Sequence, residues 1–200
     1  MKNVLVLGAG LVSKPGVRYL LNQKNIFVTV ASRTVSKAED LIKGFTNGKA
    51  IQLNVEKEEQ LAELIKSNDI IISLLPWIHH LKVAKLCLKH NKHMATTSYV
   101  SEDMQKLDDE AKSKNLLFLN EIGVDPGIDH MSAMKIIDEV YEKGGKVVHF
   151  YSYCGGLPAP EDNDNPFGYK FSWSPRGVLL AGLNDARYRR DGQVIQVPGE

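Results

Sequence analysis

The sequence predicts an α/β fold: a doubly wound parallel sheet, followed by the start of an α+β unit. Three observations predict it. Short apolar runs alternate with amphipathic stretches through the first 120 residues, and strict β–α alternation with short connections means parallel strands joined by crossover helices. The run Ile70–Leu75 is continuously apolar, the pattern of a strand covered on both faces. The first apolar run breaks at Gly8-Ala9-Gly10 and passes into an amphipathic segment, which reads as strand, tight turn and helix.

The elements follow in order. Asn3–Leu7 is a strand, and Leu11–Asn22 is a helix with Val12, Val17, Leu20 and Leu21 on a stripe. Ile26–Val30 is the second strand, Val35–Gly44 a helix and Ala50–Leu53 a short strand. Glu58–Ser67 is helical, with Leu61, Leu64 and Ile65 on one face. Ile70–Leu75 is the fourth strand, and His80–Asn91 a helix carrying Leu81, Ala84 and Leu88. His93–Thr96 is the fifth strand, Glu102–Lys114 a charged surface helix and Leu116–Leu119 the sixth strand.

The rhythm then changes. Asp125-Pro126-Gly127 opens a longer helix that Gly144-Gly145 ends. Lys146–Tyr153 alternates like a half-buried strand. Leu157–Phe167 is a loop, Tyr169–Trp173 is strand-like and Arg176–Leu183 is helical. Tyr188–Val197 reads as a hairpin turning at Asp191-Gly192. The expected division is residues 1–121 as one domain and 122–200 as a second, whose few strands suggest a truncated unit.

Bulk properties narrow the function classes. A chain of 200 residues with 43% hydrophobic residues can bury a core. A net charge of +1 offers no field to recruit nucleic acid or an anionic membrane. No apolar run reaches the roughly 20 residues that span a bilayer, and the N-terminus lacks the pattern of a secretory signal. Two cysteines, Cys87 and Cys154, form no metal-type cluster, so a reducing, cytoplasmic setting is expected. His79 and His80 are adjacent with no third ligand at useful spacing, which argues against zinc. No metal is expected.

The glycine turn points to a dinucleotide. Gly8 and Gly10, with Leu11 and Val12 leading into the helix, aim backbone N–H groups and the positive helix end at a pyrophosphate. The third glycine of the usual fingerprint is Ser13 here. A NAD site places an acidic residue about 20 residues on, at the end of the second strand. That strand instead ends in Ser32-Arg33-Thr34. A guanidinium with hydroxyl donors suits a 2′-phosphate, so NADP(H) is the expected cofactor. The alternative is that Ser32 or Thr34 only caps the next helix, with Arg33 solvated. Leu75-Pro76 and Thr97-Ser98 also close strands, where ligands of such sheets bind.

Longer strings then accumulate: Gly8-Ala9-Gly10-Leu11-Val12 with Pro15, Thr97-Ser98-Tyr99, Asn120 to His130, Tyr151 to Glu161 and Asn165 to Ser174. Together they resemble the glutamate-forming saccharopine dehydrogenase (saccharopine reductase) family over essentially the whole chain. The resemblance implies a Rossmann-type domain, a substrate domain continuing beyond this sequence, and a family chain over twice as long. It implies an NADPH-dependent reduction of the imine between 2-aminoadipate 6-semialdehyde and glutamate, giving saccharopine reversibly. Those small molecules are the implied partners, and a homodimer is compatible with them.

The same resemblance maps the substrate site onto Tyr99, Asp125, Gly127 and Cys154, with Phe171, Ser172 and Trp173 nearby; the three carboxylates of saccharopine need cations, for which Lys170 and Arg176 are candidates. Tyr99, Asp125 and Cys154 are the implied catalytic residues. Structural alternatives stand beside each. Asp125 before Pro126-Gly127 fits a helix N-cap, Cys154 fits a buried small hydrophobe, and Tyr99 fits packing. Asp129-His130 fits either a helix face or a charge relay. A related imine-forming dehydrogenase with another amine partner, or a non-catalytic NADP(H)-sensing module, remains open at this point.

Overall fold

A computed structural model describes residues 1–199; Glu200 lies outside the described residues. Six parallel strands and their crossover helices account for the first 120 residues. In order they are β1 (Lys2–Leu7), α1 (Ser13–Leu21), β2 (Ile26–Ser32), α2 (Val35–Ile42), β3 (Gly48–Gln52), α3 (Glu58–Lys66), β4 (Ile70–Ser73), α4 (His80–His90), β5 (His93–Thr96), α5 (Glu102–Gln105), α6 (Asp108–Ser113) and β6 (Phe118–Leu119). The strand order is β3-β2-β1-β4-β5-β6, the doubly wound dinucleotide-binding order. Every neighbouring pair in it is parallel. The winding reverses between β1 and β4, so a crevice opens beyond their carboxyl ends, where such sheets bind ligands.

The central strand shows how sequence becomes layers. Side chains along β1 alternate between faces. Leu5 and Leu7 join Leu61, Ile65, Ile71, Val83 and Cys87 on the side covered by α3 and α4. Val4 and Val6 join Val17, Leu21, Val28, Val30, Ala38 and Leu41 on the side covered by α1 and α2. Leu5, Leu7 and Leu61 are fully buried, and each such side chain contributes about 1.5–3 kcal/mol of transfer free energy.

Two expectations before residue 145 need correction. The charged stretch 102–114 forms two helices, not one. Ser101 caps the first by accepting from the Met104 N–H, and Asp108, Asp109 and Glu110 begin the second, where the helix dipole favours negative charge. The long helix α7 runs Ile128–Glu142, and its N-cap is Gly127 rather than Asp125. Asp125 precedes a cis peptide bond to Pro126 and turns its carboxylate elsewhere. No residue of α7 is buried.

The described residues form two compact units, Met1–Cys154 and a second beginning at Gly155. In the second, α8 (Pro175–Ala181) starts at Ser174, whose hydroxyl accepts from the Gly177 N–H. The hairpin of β7 (Ala186–Arg190) and β8 (Gln193–Val197) is antiparallel. It turns at Asp191-Gly192, both at positive φ, as a two-residue hairpin loop demands.

Segments 146–153 and 169–173 are not strands, contrary to their alternation. An alternating stretch becomes a strand only when a neighbour satisfies its backbone groups. Among the described residues neither segment has a ladder partner.

Candidate active site

The crevice starts at Gly8. Its φ is +111°, and a Cβ there would lie 2.9 Å from the Leu74 carbonyl oxygen. The Gly8 N–H donates to Ala31 O, and the Leu74 N–H donates to Leu7 O, both at 2.9 Å. Close approach of β1 and β4 therefore requires glycine at this position. Gly10 differs, because nothing lies within 4 Å of where its Cβ would be. That open space sits before an α1 terminus with no side-chain cap and no acidic residue in its first turn, an arrangement suited to an anion. Leu11 and Val12 are exposed on the same turn. Ser13, standing where the third glycine is usual, is fully buried. Its hydroxyl donates to Gly10 O at 2.6 Å, so a small polar side chain fits the helix–strand contact.

At the end of β2, Ser32 accepts from the Thr34 N–H at 3.3 Å. Thr34 occupies the N-cap position of α2 but makes no side-chain capping bond. Arg33 is exposed. These groups fit a ribose 2′-phosphate: one cation and two hydroxyls at the strand end that governs NAD or NADP choice. Leu75 packs against the α3/α4 core, and Pro76 leads into a short 3-10 turn, Trp77–His79.

At the ends of β4 and β5 the structure reveals a network that sequence reading missed. His80 is 4% exposed. Its Nδ1 lies 2.9 Å from Ser73 Oγ. Its Nε2 lies 2.9 Å from Ser98 Oγ and 3.1 Å from Thr96 Oγ1. Burial, and then the neighbouring His79, lower its pKa to about 4, so the ring is neutral at physiological pH. The available signal was the pair of hydroxyls ending adjacent strands, Ser73 and Thr96, with a histidine opening the intervening helix.

The turn after β5 is pinned from the other side by residues 121–123. Ile122 N–H donates to Thr96 O at 3.3 Å, and Glu121 N–H to Ser98 O at 3.2 Å. Glu121 adopts a positive φ of 61° and accepts from the Val100 N–H at 2.9 Å. The Cβ position of Gly123 lies 3.2 Å from Thr97 Cβ, so the two backbones nearly touch.

On this frame the Tyr99 hydroxyl donates to Asp125 Oδ1 at 2.6 Å. That bond, then lost hydration and the charges of Asp125, Asp129 and Glu121, push the phenol up to about 12. Gly127 supports the turn: a Cβ there would collide with the Gly123 backbone. Gly123 N–H donates to Pro126 O at 2.8 Å. Asp129 Oδ1 accepts from the Gly127 N–H at 3.2 Å and lies 2.7 Å from His130 Nδ1. Its carboxyl is held low, with lost hydration outweighed by the bonds to His130 and Gly127.

Cys154 joins the group. Its sulfur and the nearest oxygens of Asp125 and Asp129 all lie within 4.8 Å of one another. Cys154 is exposed, not the buried hydrophobe its alternation allowed. Lost hydration and the two carboxylates raise its pKa, so it is a thiol at neutral pH. Tyr99, Asp125, Gly127 and Cys154 are thus assembled within the first compact unit. In the second unit, Phe171 and Ser172 line a cavity of about 340 Å³ with Gly156, Leu157, Asp162 and Lys170. Lys170 pairs with Asp164 at 3.0 Å. Trp173 covers Gly177 and is half-exposed.

The chain is similar to known proteins along essentially its whole length. The model of the saccharopine dehydrogenase NADP binding domain matches residues 4–119. That of the saccharopine dehydrogenase C-terminal domain matches residues 123–200. The chain is 50% identical over 200 residues to the saccharopine dehydrogenase (NADP(+), L-glutamate-forming) of Schizosaccharomyces pombe, covering 100% of this chain and 44% of that protein. It is 44% identical over 199 residues to the mitochondrial alpha-aminoadipic semialdehyde synthase of Mus musculus, covering 99% of this chain and 21% of that protein. A solved structure of apo saccharopine dehydrogenase (L-Glu forming) from Saccharomyces cerevisiae superposes with a TM-score of 0.87 at 47% identity, covering 100% of this chain and 44% of that one. The chain therefore spans under half the length of these relatives. By the match of residues 4–119, it belongs to the saccharopine dehydrogenase family and carries that family's NADP-binding domain.

Proposed function

We propose that this chain contributes the cofactor crevice and the acid–base residues of a saccharopine dehydrogenase. The proposed reaction is reversible reduction of the imine between 2-aminoadipate 6-semialdehyde and glutamate, giving saccharopine. The observation that carries the proposal is the convergence of Tyr99, Asp125 and Cys154 after β5, the strand next to β4 in a sheet whose β1–β4 switch point opens the crevice.

When bound, NADPH supplies the hydride. Gly10 and the uncapped α1 terminus would hold its pyrophosphate, and Ser32, Arg33 and Thr34 would hold its 2′-phosphate. Leu75, Pro76, Thr97 and Ser98, which close β4 and β5, would border the other half of the dinucleotide.

Reduction of an imine asks little of the protein beyond positioning and a proton route. A carboxylate accepts several hydrogen bonds, so Asp125 can hold Tyr99 and pair with a substrate ammonium together. Tyr99, with its phenol pushed up to about 12, keeps its proton at neutral pH and offers a hydrogen bond to a carbinolamine oxygen or a carboxylate. Cys154 lines the same surface as a neutral thiol. Phe171, Ser172 and Trp173 of the second unit are assigned to the substrate through the family resemblance. No helix among the described residues is long and apolar enough to cross a membrane.

The test is steady-state turnover of saccharopine by the intact protein, parent against Asp125→Asn. Turnover should fall by about 10² or more, with NADPH affinity retained. Unchanged turnover would remove Asp125 from the chemistry. Loss of fold would return it to a structural role in the 123–127 turn.

A further inference from the structure

His80 is used nowhere in the chemistry above, yet it is built into the rim of the crevice. It is the first residue of α4, and its ring fills the space between the ends of β4 and β5. Ser73 and Thr96 are the last residues of those strands and pair directly in register. Both are buried, at 0% and 1% exposed. A neutral imidazole has one N–H and one lone pair, whereas a hydroxyl can donate or accept. Either tautomer therefore satisfies a hydroxyl on each side of the ring. An apolar side chain at position 80 would leave buried hydroxyls without partners, which is costly.

The two sides of the ring do different work. Nδ1 reaches back to Ser73, inside the sheet. Nε2 reaches forward to Ser98, beyond β5 and next to Tyr99 in the chain. The Ser98 N–H also closes on Thr96 Oγ1 at 3.4 Å, which folds the turn around Nε2. Glu121 and Ile122 hold the far side of that turn through the bonds to Thr96 O, Ser98 O and the Val100 N–H. The turn that carries Tyr99 is thereby held by the imidazole at the Ser98 hydroxyl and by Glu121 and Ile122 at Thr96, Ser98 and Val100.

We propose that His80 is a positioning residue, whose Nε2 edge sets the Ser98 hydroxyl and, through the 97–99 turn, the placement of Tyr99 against Asp125. The inference rests on the reading of Tyr99 and Asp125 as acid–base residues. The low pKa fits it, since a ring that stays neutral keeps an unchanged hydrogen-bonding pattern across the physiological range.

Two polar substitutions separate the edges of the ring. A glutamine amide can reach the place of Nε2, and an asparagine amide the place of Nδ1. His80→Gln should keep the Ser98 side, and His80→Asn should keep only the Ser73 side. Both retain a polar group, so neither leaves a wholly apolar surface against the buried hydroxyls. The measurement is a pH titration of Tyr99 by NMR in the intact protein labelled with 13C-tyrosine and saturated with NADPH, together with kcat and KM for saccharopine.

For His80→Gln, Tyr99 should still titrate near 12, and kcat should stay within about threefold of the parent. For His80→Asn, the Tyr99 titration should move down toward the ordinary value of about 10, and kcat should fall about tenfold or more. NADPH affinity should change little in His80→Gln, which keeps the Ser98 contact. Equal behaviour of the two variants, or a Tyr99 titration unmoved in both, overturns the proposal. The titration needs no substrate, so it tests the link even if saccharopine is not turned over. A purely structural role would lower the melting temperature and leave the Tyr99 titration in place.

Discussion

The Tyr99 hydroxyl donates a 2.6 Å hydrogen bond to Asp125 Oδ1 across 26 residues of chain. The bond joins the turn after β5 to the turn before α7, and it makes the phenol a weaker acid than a free tyrosine. A donor bonded to a carboxylate is held in the protonated form, so Tyr99 is the donor of this pair and Asp125 the acceptor.

Tyr99→Phe removes that donor while keeping the ring. Turnover should fall by about 10², with NADPH affinity within a few-fold of the parent. There is also a stability signature. Raised in the fold, the Tyr99 pKa contributes stability that is complete below the unfolded value near 10 and lost as pH rises through about 12. Alkaline unfolding between those values should therefore be less steep in Tyr99→Phe, as denaturant titrations at several pH values would show. Parallel curves for parent and variant would contradict the assignment.

His80 gives the opposite sign. Its folded pKa is lowered from 6.5 to about 4, so the unfolded chain binds the extra proton between those values. Its contribution is complete above the unfolded value and lost as pH falls through about 4. Urea unfolding of the parent should show stability rising by roughly 2–3 kcal/mol between pH 4 and pH 7 from this group. His80→Gln should lack that component, and an identical pH profile would rule it out.

Gly8 and Gly10 lie two residues apart and should respond to substitution differently. Gly8→Ala forces a Cβ onto the Leu74 carbonyl at a positive φ, costing on the order of 1–3 kcal/mol of stability. Gly10→Val meets open space and should leave the melting temperature nearly unchanged while blocking the pyrophosphate. NADPH fluorescence titrations beside thermal melts distinguish the two. Retained affinity in a folded Gly10→Val variant would sink the role given to Gly10.

Arg33→Ala tests the 2′-phosphate site. Loss of a guanidinium–phosphate contact should weaken NADPH by about 10- to 100-fold and leave NADH within about twofold. Equal losses for both nucleotides would mean that Arg33 contributes only general positive potential.

The sheet was legible because its signals are local. β1 carries its two-faced burial in four consecutive residues, Val4 to Leu7, and Ile71 lies fully buried within the apolar run of β4. The Asp191-Gly192 turn was legible for the same reason. The failures share the opposite cause. Segment 146–153 alternates as a strand should, but pairing depends on residues elsewhere. Asp125 looks like a helix cap until Gly127, which tolerates a φ of +149° beside the Gly123 backbone, takes that place. The His80 network joins residues 73, 80, 96 and 98 through the parallel register of β4 and β5, a relationship no single stretch of sequence contains. Tyr99, Asp125 and Cys154 were named through family resemblance, and their proximity is a property of the folded chain.

The most direct measurement is the appearance of NADPH fluorescence when the intact protein is mixed with saccharopine and NADP⁺, with NAD⁺ in parallel. The account predicts a saccharopine-dependent signal with NADP⁺ and a much weaker one with NAD⁺. No saccharopine-dependent signal from a folded protein that still binds NADPH would contradict the proposed reaction and leave a non-catalytic nucleotide-binding module or a different amine substrate.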